Sequence, residues 1–505
     1  MQRFIHRHVL LPAFEGLYKR RRTFSYLKEL ERSQWLGKLE LDAIQFRGLQ
    51  LLLSHAFENS DYYRREWQEL GLNPRTLSNF GDFSRWPVID RGIIRANRER
   101  MRSRGSGRLI SKSTGGSSGE PLQFDLNLDS NDRRVAASYR GYGWAGVHPG
   151  TKQLYLWGVP LQGQRRMQHW KDGFYHRLHR RKYLSTFGLS DERFPQYLDL
   201  YNRYRPDAIV AYTSSLYEFA RMMELRGIKP FPPRSIVVGA EKLHAFQREV
   251  IERVFGCPLF ETYGSREFML VGAECDRHSG LHLTQEQLLV EILDPDGSAT
   301  RDGEEGDVVI TDLFNYGMPF IRYRTGDRAI AGLERCACGR GLPLLKGVTG
   351  RSMDIIKTPD GRRVSGALFP HLLKDFPAIK RFQVIQDALD HVEMQVVAAT
   401  VSDHDRQAIE RIIRTHLGPA VRFEVQKVSD IALTGAGKLR VVVNKCGESI
   451  LSDLAGTAER SGRQSPGAPA NPPGNGESVI GPRRGIAVDR SLQEMALASI
   501  RREDC

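Results

Sequence analysis

Apolar residues recur every three or four positions through the first hundred residues, most clearly in "AIQFRGLQLLLSHAFENSDYYRREWQEL" (43–70). That spacing predicts amphipathic helices, so residues 1–105 read as a helical opening to a larger domain. The pattern then changes. Short continuous apolar runs, "KQLYLWGV", "AIVAY", "SIVVGA" and "PLFETYG", predict buried strands, and helical text such as "SLYEFARMMELRG" and "HAFQREVIERVFG" lies between them. Strands alternating with helices predict an α/β fold with a parallel sheet. From 285 to 332, "QLLVEILDPDGSATRDGEEGDVVITDL" turns to alternating apolar positions and turn residues, which predicts a β-rich subdomain.

Beyond Arg351 a compact unit is expected over 355–447. Its predicted strands are "FQVIQD", "HVEMQVVAAT" and "RFEVQKVSD", with "DHDRQAIERIIRTHLG" as a helix. The fold class is thus α/β, with a large multi-subdomain N-terminal part and a small α+β C-terminal domain. Residues 106–350 form its expected core and 351–354 a junction. Residues 448–505 form a tail, and the Gly, Pro, Ala and Ser of 454–489 cannot build a core, so disorder is expected there. No internal repeat is evident.

Composition narrows the picture. A chain of 505 residues exceeds one ordinary core, and 40% hydrophobic with 27% charged residues is ordinary for a globular protein. The formal charge of +14 suits an anionic partner, whether nucleotide, nucleic acid or an acidic membrane surface; a generally basic solvated surface is the plainer alternative. No apolar run approaches the roughly 20 residues of a membrane helix. The opening "MQRFIHRHVLLPAFEGLYKRRR" has only a short apolar run, broken by Pro12, so no secretory signal is read and a cytoplasmic location is expected. Six cysteines in so long a chain argue against a disulfide scaffold.

Five stretches carry candidate chemistry. "SKSTGGSSGEPLQF" (111–124) concentrates glycines and small hydroxyls inside folded text, which disfavours a linker and leaves a tight turn or a phosphate-wrapping loop. It lacks the Lys-Ser/Thr of a P-loop. In "ETYGSREF" a strand-like run ends in glycine and presents Glu267, which could hold Mg2+ beside a nucleotide or simply cap a helix. "YRTGDRA" presents Asp327, able to accept hydrogen bonds from a ribose diol, or to sit in an ordinary turn. "GVTGRSMDIIK" is a basic turn at the domain boundary, and "LTGAGKLR" sets Lys438 beside a glycine turn.

Together with "VVGAEKL", and in this order, these motifs resemble the adenylate-forming superfamily. They are most similar to its phenylacetate–CoA ligase branch, which includes the CapK-like proteins. The resemblance runs from about residue 25 to 446. It implies that Ser113, Thr114, Gly115, Gly116, Ser117, Ser118 and Gly119 enclose the ATP phosphates. Gly239, Ala240 and Glu241 would border the adenine, with Tyr263 and Gly264 beside it. Glu267 would position Mg2+, Asp327 the ribose hydroxyls, and Arg351 would lie by ribose and phosphates. Lys438 would enter from the small domain to stabilise charge during adenylation, so that Lys438, Glu267 and Thr114 form the implied catalytic set. Two departures stand out: the loop ends "GEPL" without the lysine of many members, and Met353 occupies a hinge position that is usually acidic, with Asp354 next to it.

Cys275, His282, Cys336 and Cys338, in "ECDRHSGLH" and "RCACGR", offer thiolate and imidazole ligands suited to a tetrahedral Zn2+ site. Free buried cysteines are the alternative, and His278 is a rival ligand; the "G-x-H" context of the relatives favours His282. The basic and aromatic segment 164–184 reads as a helix with a solvated basic face, which could attract an anionic acceptor; no nucleic-acid motif accompanies it and no nucleic-acid partner is expected.

The implied activity is ATP-dependent activation of a small carboxylic acid, followed by transfer to coenzyme A or another anionic acceptor. The basic N-terminal helices and "TPDGRRV" tilt the reading towards capsule or exopolysaccharide assembly, with peripheral membrane contact, over aromatic catabolism. A non-catalytic scaffold of the same fold is the third reading.

Overall fold

The computed structural model describes residues 2–114, 122–158, 173–186, 189–332, 335–351, 355–360, 363–366, 368–373, 376, 378–434 and 439–446. All fall within one compact unit, Met1–Cys446. The tail read over 448–505 lies outside the described residues.

Helices fill the opening hundred residues, as the periodicity predicts, the longest being Lys38–Asn59. Its inward positions Leu41, Leu49, Leu52, Leu53 and Ala56 are fully buried. A two-stranded hairpin follows, β1 (Leu109–Ser113) and β2 (Gln123–Asn127), and then helix Leu128–Trp144. The apolar runs become β3 (Gln153–Trp157), β5 (Ala208–Tyr212), β6 (Ser235–Gly239) and β7 (Leu259–Tyr263), all parallel. Every residue of β5 and β6 is buried, because helices cover both faces of a parallel sheet. Helix Thr213–Leu225 follows β5, and helix Ala245–Phe255 follows β6 and stops at Gly256, whose φ of +64° suits a residue without a Cβ.

One expectation fails between β3 and β5. The part of the basic segment read as helix over 173–184 is helical only at 173–178; Arg181–Ser185 is strand β4, in parallel register with β3. Its charge misled the reading. Arg181 lies with its guanidinium 5.5 Å from the Tyr155 ring centre and 6.0 Å from that of Tyr139, so aromatic faces rather than water receive the cation.

After β7 the sheet continues with reversed sense. The added strands are β8 (Gly272–Glu274), β9 (Leu281–Leu283), β10 (Leu288–Leu293), β11 (Glu305–Asp312), β12 (Tyr323–Ala331) and β13 (Leu344–Arg351). They join the parallel strands in one eleven-stranded sheet of order β10-β11-β12-β13-β9-β8-β7-β6-β5-β3-β4. The β-rich text is therefore an extension of the main sheet. A second hairpin, β14 (Ile355–Lys357) with β15 (Arg363–Ser365), precedes a four-stranded sheet. That sheet contains β16 (Ile379–Ala388), β17 (His391–Ala398), β18 (Arg422–Lys427) and β19 (Val442–Asn444), in the order β18-β17-β16-β19. Helix Asp403–Leu417, capped by the Ser402 hydroxyl accepting from the Asp405 amide (3.0 Å), packs Ile409, Ile413 and Leu417 onto Val392, Met394 and Val396.

Arg322, 2% exposed, staples the helical opening to the sheet. Its guanidinium donates to Ser84 O (2.7 Å), Trp86 O (2.6 Å) and both oxygens of Glu291 (3.0 and 3.2 Å). Removing one partner of such a pair strands the other charge, so Arg322→Met is expected to destabilise the fold by about 3–5 kcal/mol. Urea unfolding measures it, and the double change Arg322→Met, Glu291→Leu should recover most of the loss.

Candidate functional site

The carboxyl ends of β5, β6 and β7 gather the motif residues, as ligand sites in open α/β sheets do. At the end of β6, Gly239 is tightly enclosed: a Cβ there would lie 2.4 Å from Thr262 Oγ1, which itself donates to Val238 O (2.8 Å). Ala240 adopts φ +68°, an uncommon left-handed turn for a residue with a side chain. The Glu241 carboxylate accepts from the Ser214 amide (2.8 Å) at the start of helix Thr213–Leu225. Its side chain thus anchors the segment, leaving the backbone of 239–241 as the part that can border a base.

Beyond β7 the chain reverses. Val271 N–H donates to Tyr263 O (2.9 Å) and Met269 N–H to Ser265 O (2.7 Å), closing a turn over 264–270. Glu267 is carried inside that turn and is buried. Its Oε1 lies 3.8 Å from Arg91 Nη2 and 3.5 Å from the Tyr323 hydroxyl. Burial, then the Glu267 carboxylate, push the Tyr323 phenol well up, so it stays a neutral donor. The Tyr263 hydroxyl donates to Asp327 Oδ2 (2.9 Å), joining the parallel half of the sheet to β12. Asp327 pairs across the ladder with Arg351, so the two ribose candidates are cross-strand neighbours by backbone register.

The glycine-rich loop enters from β1. Thr114 N–H donates to Leu122 O (2.9 Å), and Leu122 N–H returns a bond to Thr114 Oγ1 (2.9 Å). Thr114 therefore pins the two ends of the loop together, a role its spacing did not reveal. Ser113 lies beside it with its hydroxyl 3.4 Å from Thr114 O. Lys112 donates to Asn131 Oδ1 (3.0 Å), and burial, then Arg134, Arg266 and Arg21, push its ammonium down to about 8. A positive region thus adjoins the loop base. Gly115, Gly116, Ser117, Ser118, Gly119, Met353, Asp354 and Lys438 lie outside the described residues.

Two ionisable neighbours of these residues are missing from the sequence expectations. Arg91, at the start of helix Arg91–Met101, reaches Glu267 across 176 positions because Ile89 pairs with Tyr323 and delivers it there. Glu261, on β7 just before Tyr263, is pushed up to about 7 by burial and then by Glu274. Its signal was available: an acid directly after the apolar Leu259 and Phe260 of a strand.

The cysteines converge. One ligand atom each from Cys275, His282, Cys336 and Cys338 lies within 4.8 Å of the others. Cys275 Sγ is 3.6 Å from Cys336 Sγ, and Cys338 Sγ is 3.3 Å from His282 Nε2. Zinc bonds of about 2.3 Å to sulfur and 2.0–2.1 Å to nitrogen require tetrahedral edges of about 3.5–3.8 Å, close to both separations. His282 Nδ1 faces Leu342 O (3.4 Å), leaving Nε2 towards the thiols. His278 instead meets Glu274 through Nδ1 (3.2 Å), so the choice of His282 agrees with the geometry.

The fold recurs among solved CoA ligases. The chain shares its fold with a 2-hydroxyisobutyryl-CoA ligase solved in the postadenylation state in complex with 2-HIB-AMP (TM-score 0.66, 20% identity, 85% of this chain and 94% of that one). In sequence it is similar to CapK and to phenylacetate–CoA ligases. Residues 356–445 match the CapK C-terminal domain family. The chain is 21% identical to Protein CapK of Staphylococcus aureus over 434 residues, covering 84% of this chain and 94% of that protein. It is 25% identical to the phenylacetate-coenzyme A ligase of Thermus thermophilus over 467 residues, covering 83% of this chain and 99% of that enzyme.

Gly264 has no room for a side chain: a Cβ would stand 1.9 Å from Met269 O. Gly264→Ala is expected to cost about 1–3 kcal/mol in unfolding free energy, the range for overpacking. Gly347, on β13, has nothing within 4 Å of its Cβ position, and Gly347→Ala should stay closer to neutral in the same urea titration.

Proposed function

We propose that the chain activates a carboxylic acid with ATP and transfers the acyl group to coenzyme A. The observation that carries this reading is the gathering of Tyr263, Glu267 and Asp327 where the parallel strands end, linked by the Tyr263–Asp327 bond. The similarity to phenylacetate-coenzyme A ligases over most of the chain supports it. In the first half-reaction a carboxylate oxygen attacks the α-phosphorus, the bond to the bridging oxygen breaks, and pyrophosphate leaves. In the second, the acceptor thiol attacks the acyl carbon, loses its proton, and AMP departs.

The residues divide the work. Asp327 and the backbone of 239–241 orient the nucleoside, and Tyr263 fixes Asp327. The loop after Thr114 surrounds the phosphates. Mg2+, when bound, neutralises phosphate charge, and Glu267 is the carboxylate to hold it. Lys438 stabilises the charge that spreads during attack. The match of 356–445 to the CapK C-terminal domain favours a second reading, in which the acceptor is an amine or hydroxyl of a surface-polysaccharide intermediate.

Lys438→Ala is expected to lower acid-dependent ATP–pyrophosphate exchange on the order of 100-fold. Adding coenzyme A to the wild-type reaction should convert the adenylate to thioester as fast as it forms. Exchange without any thioester would move the second half-reaction to the polysaccharide reading. Nucleotide binding with no exchange across a broad acid panel would leave a scaffold.

Cys275, His282, Cys336 and Cys338 together would hold one structural Zn2+, which, when bound, ties the β8–β9 turn to the 335–340 segment. Elemental analysis should find about one zinc per chain. Cys336→Ser should release it and lower the melting temperature, because such sites contribute folding energy. Metal-free protein that melts at the same temperature would refute the site.

A further inference from the structure

Two features of the sequence find no use in the adenylation site: the basic opening and the aromatic, basic segment around 174. The structure brings them together. Residues Gln2–Tyr18 are helical throughout, mixing α and π turns, and one side is fastened to the body. Leu11 is fully buried, and Glu15, also buried, receives Arg21 at 3.0 Å and lies 3.3 Å from His179 Nε2. A Cβ on Gly150 would stand 2.8 Å from His6 Cβ, so the segment is seated closely against the body.

The other side is apolar and open. Ile5, Val9, Ala13 and Leu17 repeat every four residues and are all exposed, with Phe4, Leu10 and Tyr18 beside them. Val9 is 55% exposed, Phe4 66%, Tyr18 74% and Leu17 81%. Phe174, 58% exposed, extends the face, its ring 6.4 Å from that of Phe14. Lys19 lies over the Phe14 and Tyr18 rings (5.7 and 5.4 Å), exposed Arg20 follows it, and exposed Arg177 lies one turn beyond Phe174. Among the first 22 residues the single acid is Glu15, and it is buried.

We propose that this face docks on an anionic lipid bilayer. Aliphatic and aromatic side chains fringed by cations suit the boundary between acyl chains and phosphate headgroups. No described helix is long and apolar enough to cross a membrane, so the segment lies in the interface. A second copy fits poorly, since like cations would meet with no exposed acid on the N-terminal segment to pair them. Nucleic acid fits poorly too: Phe4, Tyr18 and Phe174 can each stack a base, but the aliphatic Ile5, Val9, Leu10 and Leu17 that make up the rest of the face would stay in water. This inference is independent of the proposed reaction.

The test is co-sedimentation of the full chain with phosphatidylcholine vesicles, with and without phosphatidylglycerol. Binding is expected only to the anionic vesicles, and it should weaken as salt rises. Lys19→Gln, Arg20→Gln and Arg177→Gln combined should lower partitioning on the order of 100-fold. Val9→Asp with Leu17→Asp should abolish it while leaving the melting temperature unchanged. Equal binding to neutral vesicles, or binding to neither, would overturn the proposal. So would a dimer in sedimentation velocity that Val9→Asp with Leu17→Asp dissolves.

Discussion

The site depends on one reversal of the chain. β7 has a parallel neighbour, β6, on one side and an antiparallel neighbour, β8, on the other, so the backbone must turn between them. The turn is so tight that Gly264 passes the Met269 carbonyl at a distance no Cβ allows. That closeness carries Glu267 inward and leaves Tyr263 at the strand end, aimed at Asp327 on β12. A looser turn would draw Glu267 away from the strand ends. Here a constraint on backbone packing sets the position of the chemistry.

A second layer of contacts fixes the partners of that turn. Arg322 holds the carbonyls of Ser84 and Trp86 while Ile89 and β12 exchange backbone bonds, Ile89 N–H to Arg322 O (2.9 Å) and Arg324 N–H to Ile89 O (2.8 Å). Arg91 follows directly and meets Glu267. At the C-terminal part, Arg381 on β16 grips both oxygens of Glu218 (3.2 Å) on helix Thr213–Leu225 and also donates to Leu189 O (3.1 Å). Burial raises the Glu218 carboxyl and Arg381 opposes that rise, so separating them would strand a buried acid. The orientation of β16 against that helix is therefore held by a specific, costly contact as well as by general packing.

Much of this was legible in the sequence. β5 and β6 are buried on both faces, so their apolar runs needed no alternation to be read, and glycine and acid marked the strand ends where Tyr263, Glu267 and Asp327 meet. The zinc candidates were legible by residue type even though 61 positions separate Cys275 from Cys336. What was hidden has physical reasons. β8 and β9 have three residues each, too few to show a period, yet they carry the sheet from its parallel to its antiparallel half. β4 was concealed by charge, because composition cannot show that aromatic rings will receive Arg181. Arg91 was invisible because its partner is a tertiary neighbour delivered by the Ile89 bridge.

The same lesson applies to the net charge. An excess of cations suggests a basic surface, but several arginines are spent inside. Arg134 pairs with Asp312, Arg140 with Glu286 and Arg322 with Glu291, all six residues lying within the protein or at its margin. These pairs are neutral in sum and add nothing to an external field. The excess must therefore reside on cations without such partners. Beside the glycine-rich loop, burial first and then the charges of Arg134, Arg266 and Arg21 lower the ammonium of Lys112. Lys19, Arg20 and Arg177 stand exposed around the apolar N-terminal face. The cations at these two places have different surroundings. Lys112 near the loop is enclosed, whereas the cations around the helix are dispersed over an apolar surface, which no small anion requires.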